Sequence, residues 1–160
     1  MAVEPPFANT PLLLDTDVFT DWRNQRPHII SAIKEYSKRT KSFPMLAAIT
    51  IFESQFGFDS ESIKGSGLST QLMKERGEME HLIQTCGVLN FNQAAATIAA
   101  YIFARLSKSQ RNRHWRDVFI VATALAHNYG VATRNQRDFE LIGQHLPPYA
   151  PVLYLAIWKS

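Results

Sequence analysis

Short, unbroken apolar runs set between longer helical patterns are the feature that most constrains this chain. Leu12, Leu13 and Leu14 run directly into Asp15. Met45 to Phe52 ends at Glu53, and Gly87 to Phe91 carries Val88 and Leu89. Val131 to Thr133 follows Gly130, and Val152 to Ile157 forms a fifth run. A strand with one solvated face alternates apolar and polar residues, whereas a strand covered on both faces is apolar at every position. Five such runs predict five strands of a largely parallel sheet.

The intervals read as helices. Ile29, Ile30, Ile33 and Tyr36 recur at helical spacing, and Leu68, Leu72, Met79, Leu82 and Ile83 do so more loosely. Asn92 is placed to cap a helix whose face is Ala95, Ala99, Ile102 and Leu106. Val118 to Asn128 is apolar nearly all round. That predicts a buried helix, begun at Asp117 and stopped by a glycine cap at Tyr129-Gly130. Asp59 to Ser66 reads as the loosest turn, and Cys86 as a small strand residue. Residues 1–10, with Pro5 and Pro6 and with Pro11 directly after, read as an irregular lead-in. Residues 11–160 read as a single domain, as a length of 160 suggests. Strands alternating with helices predict an α/β fold with helices on both faces of a mostly parallel five-stranded sheet.

Composition narrows the function classes. Hydrophobic residues make up 46% and charged residues 19%, enough apolar material for a packed core. Cys86 is the sole cysteine, which excludes a disulfide framework and any multi-cysteine zinc site, and suits a reducing compartment. Val118 to Ala126, the most apolar stretch, is far shorter than the roughly 20 residues that span a bilayer, so no membrane role is expected. Glu4, Pro5 and Pro6 do not fit the start of a secretory leader, so the cytoplasm is the expected location. A net charge of +3 mildly favours an anionic partner.

The acids carry the functional information. Asp15 ends the first predicted strand, Glu53 follows the second, Asp117 opens the buried helix, and Asp138 lies beyond the fourth strand. Right-handed crossovers bring the C-terminal ends of parallel strands to one edge, where ligands bind. Val121, Ala124 and Leu125 share a helical face with Asp117, so a carboxylate falls on the face expected to be most buried. Grouped buried carboxylates repel, and either take up protons or bind a cation. Oxygen donors suit Mg²⁺ or Mn²⁺. Taken singly, each acid is better explained as a helix cap interacting with the dipole, and only their joint placement favours the metal role. Asp17 fits a cap or a water-mediated contact to a metal, and Asp21 reads as a solvated helix residue.

Four segments, in order, resemble the motifs of PIN-domain nucleases. Leu12-Leu13-Leu14-Asp15-Thr16-Asp17-Val18-Phe19 resembles the first and Ile49-Thr50-Ile51-Phe52-Glu53 the second. Asp117 to Leu125 is similar to the third, and Val131-Ala132-Thr133-Arg134-Asn135-Gln136-Arg137-Asp138-Phe139 to the fourth. The nearest form is the VapC toxin of bacterial toxin–antitoxin pairs. The resemblance implies a PIN-like α/β/α sandwich and a Mg²⁺- or Mn²⁺-dependent endoribonuclease. By it, Asp15, Glu53, Asp117 and Asp138 are the catalytic and metal-binding acids, and Thr133 supports them. It also implies an RNA substrate, a small cognate antitoxin and a homodimer. The segment before Asp117 departs from the family pattern, reading Gln110-Arg111-Asn112-Arg113-His114-Trp115-Arg116 without the usual glycine.

Arg105, Lys108, Arg111, Arg113 and Arg116 precede Asp117 with no acid among them, and Arg134 and Arg137 flank the fourth strand's exit. Arg113, Arg116, Arg134 and Arg137 are the candidates for RNA phosphates; a solvated helix end is the plain alternative for the first cluster. Trp22 and Trp115 could stack on bases, but a tryptophan is more often packed. None of the five histidines falls in a His-x-His or His-Glu-x-x-His pattern, and His127 reads as a polar residue near a helix end. Two other enzymes fit parts of the pattern. A housekeeping PIN nuclease would share the acids and lack the antitoxin. A haloacid-dehalogenase-like phosphatase would share Asp15-Thr16-Asp17, but needs a later lysine and acidic pair that Gly130 to Asp138 does not supply.

Overall fold

The structure is a computed structural model that describes residues 2–3, 9–65 and 69–159. Leu68 and Ser66, each placed by the sequence in a helical or turn segment, lie outside the described residues. The strands are β1 (Ala2–Val3), β2 (Leu12–Leu14), β3 (Met45–Ala47), β4 (Val88–Leu89), β5 (Gly130–Thr133) and β6 (Leu153–Ile157). The helices are α1 (Thr16–Arg23), α2 (Pro27–Thr40), α3 (Ala48–Lys64), α4 (Thr70–Cys86), α5 (Gln93–Arg105), α6 (Lys108–Ala126) and α7 (Gln136–Gly143).

Every strand pairing is parallel, in the order β1-β6-β5-β2-β3-β4. From β2 the chain winds outward through β3 and β4, and from β5 it winds the other way through β6. The reversal lies between β2 and β5, where open α/β sheets form a crevice. Side chains alternate across the sheet, as extended backbone requires. Leu13, Ala47, Val131, Leu153 and Leu155 pack with α5, α6 and α7 on one face. Leu12, Leu14, Leu46 and Ala132 pack with α1, α2 and α4 on the other. This is the expected α/β/α sandwich, with the central strands almost wholly apolar because both faces are covered.

Among the described residues the sheet has six strands where the sequence predicts five. The sixth, β1, lies inside the residues read as an irregular lead-in and adds to the outer edge of β6. Prolines exclude a helix there but not a two-residue edge strand. The run Met45–Phe52 is not one strand: Met45–Ala47 pairs, and α3 begins at Ala48. Asp59 to Lys64, read as a loose turn, completes α3. Cys86 is the last residue of α4, not a strand residue, and burial pushes its thiol up to about 12.

The buried helix is longer than its apolar stretch. Ser107 and Gln110 form a reciprocal capping box, each side chain accepting from the other's backbone N–H at 3.1 and 2.8 Å. Asp117 is therefore mid-helix, not a first residue. The helix ends through Asn128, whose φ of 59° supplies the left-handed turn that the sequence assigns to Gly130. Gly130 instead opens β5. A Cβ there would stand 3.0 Å from both Leu12 and the Tyr154 carbonyl, so the glycine lets three strands close up.

Candidate active site

Asp15 and Thr133 end the two strands that flank the reversal of the sheet. Asp15 donates its backbone N–H to the Ala132 carbonyl at 2.9 Å, continuing the β2–β5 ladder by one residue. Its side chain is 3% exposed. Thr133 Oγ1 donates to Asp15 Oδ2 at 2.8 Å and accepts the Asn135 N–H at 3.0 Å. That second contact fixes the direction of the hydroxyl proton, so the threonine locks one carboxylate oxygen. Burial raises the Asp15 carboxyl to about 6 and Asp17 adds to the rise, against the Thr133 hydroxyl and the Thr16 and Asp17 backbone groups.

Glu53 reaches the same edge by a different route. Because α3 starts directly after β3, its first turns lie over the C-terminal end of the sheet. Thr16 Oγ1, at the start of α1, donates to Glu53 Oε1 at 2.9 Å and lies 3.0 Å from Thr50 Oγ1. Burial raises the Glu53 carboxyl, while Thr16 and the Arg116 guanidinium, 3.4 Å away, oppose the rise.

Asp117 is the electrostatic focus. Its side chain is 23% exposed, and its mid-helix position denies it the stabilisation of a helix N-terminus, which fades after the first turn. Burial raises its carboxyl to about 8, and the charges of Asp15, Asp138, Asp17 and Glu53 all push the same way. Four acids from α1, α3, α7 and the end of β2 stand near enough for their charges to act on this one carboxyl. Asp138 stands in the first turn of α7 and accepts from the Asn135 side-chain amide.

His114 joins them, and sequence reasoning missed it. It is 4% exposed, three residues before Asp117 on α6. Its Nδ1 lies 3.8 Å from Asp117 Oδ2 and 3.8 Å from Asp138 Oδ2, with no hydrogen-bond partner. One donor atom from each of the three falls within a 4.8 Å span. The usable signal was His-x-x-Asp on one helix, visible only if the helix is known to begin before Asp117.

The basic residues divide. Arg113 and Arg137 line a cleft of about 560 Å³ with Gln110, His114, Asp138 and Gln144. Arg116 pairs with Glu53 and lies 4.8 Å over the Trp115 ring. Arg134 donates to Asp21 at 2.8 Å. Asp21 is thus buried and paired, not solvated as its sequence context suggests, because α1 turns that face toward the exit of β5. Arg111 donates to the Leu106 carbonyl and so serves the α5–α6 junction, while Arg105 lies over Tyr101 within α5. Trp22 stacks on Phe43 and Trp115 packs edge-on against Phe119. His127 meets the Asn90 carbonyl at the end of α6.

The sequence profile of the PIN domain matches residues 12–144, which contain every acid of the cleft. The chain is 30% identical over 134 residues to the VapC ribonuclease Y4jK of Sinorhizobium fredii, covering 82% of this chain and 92% of that one. Its fold is similar to VapBC2 from Rickettsia felis bound to a DNA fragment from their promoter. There the TM-score is 0.67 at 15% identity, with 92% of this chain and 98% of that chain covered. It is also similar to DNA-bound VapBC from Salmonella typhimurium, with a TM-score of 0.66 at 21% identity, covering 94% and 99%. At these identities the structural likeness is one of fold.

Proposed function

The chain belongs to the PIN-domain family and, within it, to the VapC ribonucleases, and from that premise we propose that it hydrolyses RNA phosphodiester bonds in the acidic cleft, using Mg²⁺ or Mn²⁺, as the toxin of a toxin–antitoxin pair. The observation that carries this reading is the convergence on Asp117 of four acids from separate elements, whose charges add to burial in raising its carboxyl to about 8. Such a cluster has no structural reward of its own, since burying and crowding carboxylates destabilises a fold.

The residues fit a divalent cation. Asp15, Glu53, Asp117 and Asp138 offer oxygen donors, and the orphaned His114 Nδ1 faces two of them. When bound, the cation supplies Lewis acidity toward a phosphodiester and makes a coordinated water more acidic. The protein's own part is positioning. Thr133 holds Asp15, Thr16 and Arg116 hold Glu53, and Asn135 holds Asp138. Without a cation, a proton on the Asp117 carboxyl relieves the repulsion around it. Arg113 and Arg137 border the cleft as phosphate contacts, and Arg116 is close enough to release Glu53 and meet a phosphate instead. Arg134, spent on Asp21, is placed to brace the loop before α7.

An antitoxin partner fits the same surface. The acids suit an inserted basic side chain, and Phe52 and Phe56, exposed and stacked at 6.1 Å beside Glu53 on α3, offer apolar contact. Expression alone should slow growth, and co-expression of the neighbouring small gene should restore it. Harmless expression of catalytically intact protein would favour the housekeeping nuclease. The nuclease reading itself is tested by cleavage of purified RNA with Mg²⁺ or Mn²⁺ and with EDTA; undiminished cleavage in EDTA would refute the metal mechanism.

A further inference from the structure

We propose that His114 Nδ1 is a nitrogen ligand to a divalent cation held between Asp117 and Asp138, which gives the cleft a mixed nitrogen-and-oxygen donor set and a preference for Mn²⁺ over Mg²⁺. The inference rests on the divalent-cation reading above and adds to it a residue outside the acidic set.

Local geometry places the imidazole. Residues three apart on a helix share a face, so α6 directs His114 and Asp117 together. The first turn of α7 brings Asp138 opposite them. The Nδ1 atom stands 3.8 Å from a carboxylate oxygen of each acid. Donors on one ion at about 2.1 Å are roughly 3 Å apart when adjacent and roughly 4.2 Å apart when opposite. The three side chains span 4.8 Å, so small rotations complete the set.

Three further facts favour a ligand over a packed or charge-balancing histidine. His114 is 4% exposed, and its Nδ1 is buried without a hydrogen-bond partner. A histidine held there to balance the acids would close on one of them to hydrogen-bond distance; this nitrogen is equally far from both and beyond that range. His114 also lines the same cleft as Asp138, beside Arg113 and Arg137. Imidazole binds first-row transition metals readily, whereas Mg²⁺ keeps to oxygen donors and water. A histidine in the donor set therefore separates Mn²⁺ from Mg²⁺.

The test uses Mn²⁺ on the intact chain, by titration of the free-ion electron paramagnetic resonance signal and by pulsed measurement of nitrogen coupling to the bound ion. Wild type should bind one tight Mn²⁺ with a directly bound nitrogen. In His114→Gln that coupling should vanish and Mn²⁺ affinity fall about tenfold or more, with Mg²⁺ affinity altered less than twofold. Asp117→Asn should lose tight Mn²⁺ altogether. Tight Mn²⁺ in wild type without nitrogen coupling would overturn the role of His114 and leave the acidic site intact. Nitrogen coupling that persists in His114→Gln would do the same. Absence of tight Mn²⁺ in wild type would overturn both readings. The wild-type coupling needs no variant to fold.

Discussion

Asp117 and Thr133 carry the sharpest single-residue expectations. A carboxyl whose folded value lies above its unfolded one binds its proton more tightly in the folded chain. Between 3.8 and about 8, the folded chain holds more protons at Asp117 than the unfolded chain does. Metal-free stability therefore falls as pH rises through that range, and Asp15, raised to about 6, adds to the fall in its lower half. Asp117→Asn removes the larger part. Its metal-free thermal midpoint at pH 8 should exceed wild type, by about 2 to 4 °C per kcal/mol of repulsion relieved, while cleavage drops about 100-fold or more. A lower midpoint with full activity would mean Asp117 is merely structural. Thr133→Val should misorient Asp15 and reduce activity or metal affinity about 10- to 100-fold, measured by cleavage rate and Mn²⁺ titration; unchanged values would make Thr133 an ordinary strand residue. Asp15, Glu53, Thr133 and Asp138 stood out as sequence positions because each ends or follows an apolar run, and Asp117 because it opens one. His114 was not, since the apolar pattern of its helix starts only at Val118 and gives no hint that the polar residues before it are helical.

Among elements, the strands β2, β5 and β6 were readable because runs packed against helices are almost wholly apolar, and the edge strand β4 because Val88 and Leu89 directly follow Gly87. The run Met45–Phe52, apolar but for Thr50, misled because such a stretch cannot separate a buried strand from the start of a buried helix. The difference matters for function, since α3 rather than a strand end carries Glu53. Likewise the capping box at Ser107 starts α6 ahead of its apolar stretch and moves Asp117 to mid-helix. The loop between β5 and α7 is braced by Arg134 on buried Asp21, which is 6% exposed. Arg134→Met should lower stability by about 1 to 3 kcal/mol, the cost of leaving a buried carboxylate short of its partner, read by denaturant unfolding. Cleavage at low temperature should survive. Arg113→Ala should do the reverse, leaving the unfolding midpoint alone, weakening RNA binding and reducing its salt dependence. Equal loss of RNA binding in both variants would place Arg134 on the RNA as well.

At the scale of the whole molecule, the sheet reversal between β2 and β5 fixes where the acids meet, with Asp15 following β2 and Glu53, Asp117 and Asp138 brought to that edge by α3, α6 and α7. Cation binding and folding are then linked. Mn²⁺ at about 100 times its dissociation constant should stabilise wild type by about 2.7 kcal/mol, raising the thermal midpoint, and should stabilise Asp117→Asn far less. An equal rise in both proteins would locate the ion elsewhere. The most direct test of the central claim, an acidic cleft that cuts RNA through a divalent cation, is the cleavage rate of a defined RNA measured side by side for wild type and Asp117→Asn, with Mn²⁺ and with EDTA. The predicted result is cleavage only by wild type with Mn²⁺. Cleavage by Asp117→Asn at the wild-type rate, or by wild type in EDTA, would contradict it.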